Sequence, residues 1–159
     1  MANISIITVG SLKEGYLREA VAEYKKRLSQ YARVEEIELK EERINNEDNR
    51  AEIDSALTKE AEKILAAIPK DAFKIALCVE GKQYSSEELA SLIGEGCDKS
   101  GKIALVIGSS YGLSEKVKRE CDVRLSFSKL TFPHQLMKVI LFESLYRSFT
   151  ILSGKRYHK

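Results

Sequence analysis

Short runs that are apolar throughout, or at every second position, alternate along the chain with longer stretches whose apolar residues recur every three or four positions. "NISIITVG" (3–10) is a β-rich run ending on glycine. Leu17, Val21, Tyr24, Leu28 and Tyr31 then fall on one face of a helix predicted over 14–31. "VEEIEL" (34–39) alternates as a strand with one wet face does. A charged stretch, 40–48, leads into a helix predicted from about Asn49 to Ile68, with Pro69 as its stop signal. "FKIALCV" (73–79) and "KIALVIG" (102–108) read as buried strands, and between them Ser85 and Glu88 have capping-box spacing at the head of "SSEELASLI" (85–93). The loop "SSYGLS" precedes a short helix, "EKVKREC", a strand, "VRLSFS" (123–128), and a long final helix from about Pro133 to Leu152.

Strands that alternate with helices predict an α/β fold, a mostly parallel sheet covered by helices on both faces. The length of 159 residues suits one domain, 1–159, and no repeat, low-complexity tract or linker divides it. Ligands of such sheets bind beyond the carboxyl ends of the strands. Three segments stand there, "CVEGK", "GSSYGL" and "SKLTFPH", and together they predict one pocket.

Composition narrows the class. Hydrophobic content of 43% with 31% charged residues is that of a globular chain and too apolar for disorder. The start of the chain lacks the pattern of a secretory signal, and Lys138, Glu143 and Arg147 interrupt the one other long apolar region, which argues against a membrane span. Cys78, Cys97 and Cys121 are odd in number and contain no CxxC spacing, so neither a disulfide frame nor a zinc site is expected. These features predict a cytoplasmic protein with no structural metal.

The net charge of +2 conceals an asymmetry: Lys129, Lys138, Arg147, Lys155, Arg156 and Lys159 face only Glu143, so +5 lies in the last 31 residues and −3 in the preceding 128. A basic end beside an acidic body points to a polyanionic partner, RNA or DNA before membrane; a solvated basic tail is the plain alternative.

Four features could carry chemistry. Gly108 and Gly112 of "GSSYGL" allow close backbone approach to a ligand or simply a tight turn, and neither a P-loop nor a dinucleotide fingerprint is present. In "TFPHQ", proline in the first helical turn would put His134 in that turn too, where the helix dipole favours neutral imidazole; the residue is then either a polar cap or a proton acceptor. Leu136, Met137, Val139, Ile140, Leu141, Phe142 and Leu145 make the final helix apolar on more than one face, which demands a core or a subunit interface, and a homodimer is the economical explanation. Arg147, four residues after Glu143, is either its ion-pair partner or a phosphate ligand, and the tail "SGKRYHK" either frays or offers Tyr157 and His158 for stacking on bases.

At these residues a resemblance enters. "VGSLKEGYLREAVAEYKKRL", "LVIG…YGL", "LSFSKLTFPHQLMKVILFESLYRSF" and the terminal "YHK" are similar, over essentially the whole chain, to bacterial ribosomal RNA methyltransferases of the SPOUT superfamily that methylate N3 of a pseudouridine in large-subunit (23S) rRNA. The resemblance implies a C-terminal trefoil (α/β) knot, a homodimer with its sites near the interface, and S-adenosylmethionine bound in a bent conformation against the knot. It places the cofactor against Leu77, Gly108, Phe127, Ser128, Lys129, Leu130, Thr131 and Phe132, the same three strand ends reached from the pattern. His134 would then help deprotonate or orient the base, Arg147 hold a phosphate or developing charge, and Tyr157 and His158 complete the RNA side, with the assembled ribosome as substrate. Where the family usually has two glycines this chain has Gly108-Ser109, which matters if Ser109 must adopt positive φ. The alternatives are a SPOUT enzyme acting on another RNA, such as tRNA, or a non-catalytic RNA-binding protein on the same scaffold.

Overall fold

The computed structural model describes residues 1–159. Strand and helix alternate throughout: β1 (Ala2–Val9), α1 (Gly15–Leu28), β2 (Ala32–Leu39), α2 (Arg50–Ala67), β3 (Phe73–Gln83), α3 (Ser86–Ser100), β4 (Lys102–Ile107), α4 (Glu115–Glu120), β5 (Val123–Ser126) and α5 (His134–Leu152). All pairings are parallel, in the order β2-β1-β4-β3-β5, so every strand ends at the same rim.

Period-two alternation divides the strands between two cores. Ile4, Ile6, Ile75, Ile103 and Leu105 point to the layer that holds α1, α3 and α5, where they meet Val21, Ile93 and Phe142. Ile7, Val9, Ala76, Ala104 and Val106 point the other way, against Ala61 and Ile64 of α2 and Val117 of α4. The central strands are apolar at successive positions because both faces are covered. Local signals agree: Asn49 caps α2 by accepting the Glu52 N–H, and at α3 both reciprocal bonds of the Ser85–Glu88 capping box are present.

α1 stops at Leu28 instead of 31 and β2 starts at Ala32 instead of 34, and three further boundaries that differ from the pattern bear on the site. β3 runs past residue 79 to Gln83, because a bulge lets both Leu77 and Lys82 face Leu125 of β5. The bulge depends on Gly81, where a Cβ would stand 2.7 Å from the Arg124 carbonyl oxygen. β5 stops at Ser126 instead of 128: Ser126 Oγ donates to the Ser128 carbonyl (3.0 Å) and Ser128 Oγ accepts the Leu130 N–H (3.0 Å), a local alternative to the ladder. Pro133 is the N-cap of α5, extended at ψ 136°, so His134 opens the helix.

The path of the last third decides where the site lies. Residues 108–122 pass from β4 across β3 to β5 at the edge, and α5 then starts beside Gly10, at the end of β1. Residues 127–133 therefore return across the same rim, crossing the ends of β3 and β4.

Lys138 corrects the reading of a basic C-terminal end. It is 3% exposed, with Nζ 2.9 Å from Glu36 and 3.3 Å from Glu38 of β2, so it neutralises the sheet edge and offers nothing to a polyanion. Arg147 is likewise paired, with Glu143. No helix is long and apolar enough to cross a membrane.

Candidate active site

The return segment, the β3 bulge and the β4 loop enclose a cleft of about 550 Å³ at the carboxyl rim. Leu77, Ile107, Leu113, Leu125, Phe127 and Met137 give it apolar walls, and Ser110, Lys118, Ser128, Thr131 and His134 are among its polar lining residues. That is the usual make-up of a small-molecule site, and the volume lies in the usual range of ~300–1,000 Å³.

Seven of the eight residues expected at a cofactor line it: Leu77, Gly108, Phe127, Ser128, Leu130, Thr131 and Phe132. Lys129 does not; its side chain is exposed outside the cleft. The strand-end segment "CVEGK" contributes Cys78, Val79 and Glu80 to the lining, beside the bulge set by the close backbone approach at Gly81. Lys118 and Met137 lie outside the three segments, and the pattern carries no signal that they line the cleft. At the rim Lys118 pairs with Glu80; the pair holds the Lys118 ammonium above its ordinary pKa despite burial and Glu80 below its own.

Gly108 is needed for close approach: an added Cβ would collide with the carbonyl of Gly112, which itself has φ +85°. Ser109 keeps an ordinary negative φ, so serine in place of glycine carries no strain there. Its carbonyl accepts the Gly112 N–H (2.8 Å), closing a tight turn.

His134 lies in the cleft lining, its Nε2 3.5 Å from where a Cβ on Gly10 would stand. Gly10 is called for by its φ of +97°, and a Cβ there would make only ordinary contact with the ring. The neighbouring Gln135 fixes the helix start by accepting the Lys13 N–H at 3.1 Å.

The other three predicted residues form a separate cluster at the far end of α5. Arg147 donates to Glu143 (2.6 Å) and to His158 Nδ1 (3.1 Å), and its guanidinium lies 4.9 Å from the Tyr157 ring centroid. Tyr157 packs on Tyr146 at 4.7 Å and donates its hydroxyl to Glu143 at 3.2 Å. The tail is therefore folded onto its helix. Hydrogen bonding to Glu143 raises the Arg147 pKa and keeps the guanidinium charged, while burial and then the Glu143 charge push the Tyr157 phenol up to about 12. His134 and Arg147 are thirteen residues apart on one helix, so about 20 Å separates the two clusters within a chain.

No three or more His, Cys, Asp or Glu side chains are grouped to hold a metal ion. The three cysteines are free and half-buried.

Residues 2–158 match the family model described as "Predicted SPOUT methyltransferase". The chain belongs to the SPOUT methyltransferase family. Among curated SPOUT relatives, a protein of Shouchella clausii named ribosomal RNA large subunit methyltransferase H is 49% identical over 158 residues, 99% of each chain. One of the same name from Clostridium novyi is 51% identical over 160 residues, again 99% of each. Solved structures share the fold at much lower identity. A Bordetella pertussis chain described as a probable methyltransferase superposes with a TM-score of 0.57 at 17% identity, covering 92% of this chain and 96% of its own. A Haemophilus influenzae chain of a probable methylase family protein gives 0.54 at 16%, covering 98% and 70%.

Proposed function

We propose that this SPOUT methyltransferase transfers a methyl group from S-adenosylmethionine to N3 of a pseudouridine in the large-subunit (23S) RNA of assembled ribosomes, acting as a homodimer. The observation that carries the reading is the rim cleft, whose apolar walls and Gly108 cradle stand where the cofactor of this family is expected. The full-length relatives named as large-subunit RNA methyltransferases support the substrate class. Membership of the SPOUT family supports a C-terminal trefoil knot in this chain.

The cleft residues suit a nucleoside-like cofactor: Leu77, Ile107 and Leu113 offer apolar surface to a base, and the backbone around Gly108 and residues 127–132 offers hydrogen-bonding groups. When bound, S-adenosylmethionine supplies a methyl already activated on a sulfonium. The protein must then align the uracil-type N3 with it and favour loss of the N3 proton.

His134, at the cleft, accepts that proton directly or through one water. Arg147 and the tail cannot reach the same site within one chain. Two α5 helices packed antiparallel about a twofold axis bring His134 of one chain to the Arg147 end of the other. Leu136 (38% exposed), on α5 itself, and Val79 (48%) and Leu130 (70%), in the cleft lining, are exposed apolar side chains available to that contact. Arg147, held charged by Glu143, stabilises a phosphate or the charge developing on the base. Tyr157 and His158 form the RNA-facing wall.

The test is transfer of labelled methyl from S-adenosylmethionine to ribosomes from a strain lacking this enzyme, with the nucleoside product identified by mass spectrometry. N3-methylpseudouridine in the large-subunit RNA is the expected product. Methylation of tRNA in place of ribosomes would redirect the substrate, and cofactor binding without transfer to any RNA would leave a binding protein.

A further inference from the structure

A carboxylate buried behind the cleft wall holds that wall in shape. Glu60, on α2, is 3% exposed, and Ser109, in the cleft lining, is 5% exposed. Ser109 Oγ donates to Glu60 Oε1 at 3.0 Å, and Glu60 Oε2 accepts the Glu42 N–H at 3.0 Å. Lys63, one turn along α2, donates to the Lys40 carbonyl (3.2 Å) and pairs with Glu42 (2.5 Å). The helix thus grips residues 40–42 twice and, through Glu60 alone of these groups, reaches the turn of residues 108–113.

Burying an ionised carboxyl is costly unless it is hydrogen-bonded, and an apolar side chain would fill the same space without that cost. What an apolar residue cannot do is accept the Ser109 hydroxyl. Ser109 directly follows Gly108, and its carbonyl closes the turn on Gly112, the residue whose carbonyl sits against Gly108.

Resting on the reading of the cleft as the cofactor site, we propose that Glu60 is a positioning residue for S-adenosylmethionine: by holding Ser109 Oγ it fixes the 108–113 turn in the form the cofactor meets. Glu60 does not itself line the cleft. The hydroxyl at position 109 is therefore a functional part of this chain's loop, supplying a donor that a glycine would lack.

The experiment compares Ser109→Ala, Glu60→Gln and their double variant by calorimetry with S-adenosylhomocysteine, by thermal melting, and by steady-state kinetics on ribosomes lacking the modification. The expected result is a loss of cofactor affinity of about five- to tenfold in Ser109→Ala. KM for the cofactor rises by the same factor, while KM for ribosomes moves by less than about twofold. Because Glu60 acts on the cofactor only through the bond that Ser109→Ala already removes, the double variant binds no more weakly than Ser109→Ala alone. Wild-type affinity in Ser109→Ala, or a fall in melting temperature with unchanged affinity and cofactor KM, would overturn the proposal and leave Glu60 as a brace. Thr131→Trp, which fills the cleft from an exposed position, separates the two readings. If it leaves binding intact, the cleft is not the cofactor site and both fall; if it abolishes binding while Ser109→Ala and Glu60→Gln do not weaken it, only the role of Glu60 falls.

Discussion

Nδ1 of His158 stands 3.1 Å from Nη1 of Arg147, and since a guanidinium nitrogen can only donate, the imidazole must present a lone pair there. The ring proton is then on Nε2, which donates to Glu87 at 2.7 Å. The tail is thus docked through a histidine that bridges Arg147 of α5 and Glu87 of α3.

That docking keeps Arg147, Tyr157 and His158 about 20 Å from His134 in the same chain, which makes the division of labour testable. His134→Ala and Arg147→Ala should each reduce transfer by about 100-fold or more. Co-expressed in one cell, the two variants should recover about a quarter of wild-type activity, because half the dimers are mixed and each mixed dimer has one intact site. Activity that stays at the level of the single variants would place the working residues within one chain.

Tyr157 makes a prediction at high pH. With its phenol pushed up to about 12, first by burial and then by Glu143, it stays protonated at any pH where the enzyme works. Its contribution is therefore hydrogen bonding and stacking, never proton abstraction. Because the folded value exceeds the unfolded one, the associated stability is full below the ordinary tyrosine range and is lost as pH climbs through about 12. Ultraviolet difference titration of wild type against Tyr157→Phe should show one phenol ionising late.

Gly108→Ala tests the cradle. The new methyl meets the Gly112 carbonyl, so the 108–113 turn must open. Overpacking of this kind costs about 1–3 kcal/mol, and the larger consequence should be loss of S-adenosylhomocysteine binding. Calorimetry on folded protein measures it, and unaltered binding would show that the turn does not touch the ligand.

Lys138→Ala should destabilise the fold by about 2 kcal/mol, less than the ~3–5 of a fully buried broken pair, because Glu36 keeps Lys25 at 3.0 Å. Burial pushes the Glu36 pKa up, but bonds from Lys138 and Lys25 outweigh it and hold the carboxyl below its ordinary value. Its stabilising contribution is therefore present above the ordinary glutamate range and lost as pH falls through the lowered value. Urea melts at neutral and acid pH should show the Lys138→Ala deficit shrinking toward acid.

The sequence announces most of this architecture because its signals are local. Alternation in residues 3–9, the continuous apolar runs of β3 and β4, and the Ser85–Glu88 box each follow from a few adjacent residues, and each appears in place. The rim location of the cleft is legible too, since it follows from strand direction alone. Lys138 is the opposite case. Its charge reads as solvent-facing, and only the pairing of β1 with β2 brings Glu36 and Glu38 within its reach. Glu60 is hidden for the same reason: its partner is 49 residues away, across two strands and a helix. Long-range polar pairs leave no periodicity to read.

The strand order also bears on how the molecule comes into being. β1, made before the other strands of this sheet, is closed on one side by β2 but on the other only by β4, with Asn3 opposite Lys102. During synthesis its second edge stays open for roughly a hundred residues, an unpaired apolar strand of the kind that invites wrong partners. The walls of the cleft come later still, since Phe127 to His134 must cross the finished rim before α5 can settle. Binding competence thus arrives after the sheet, and a nascent chain halted before Phe127 would carry all five strands and no site.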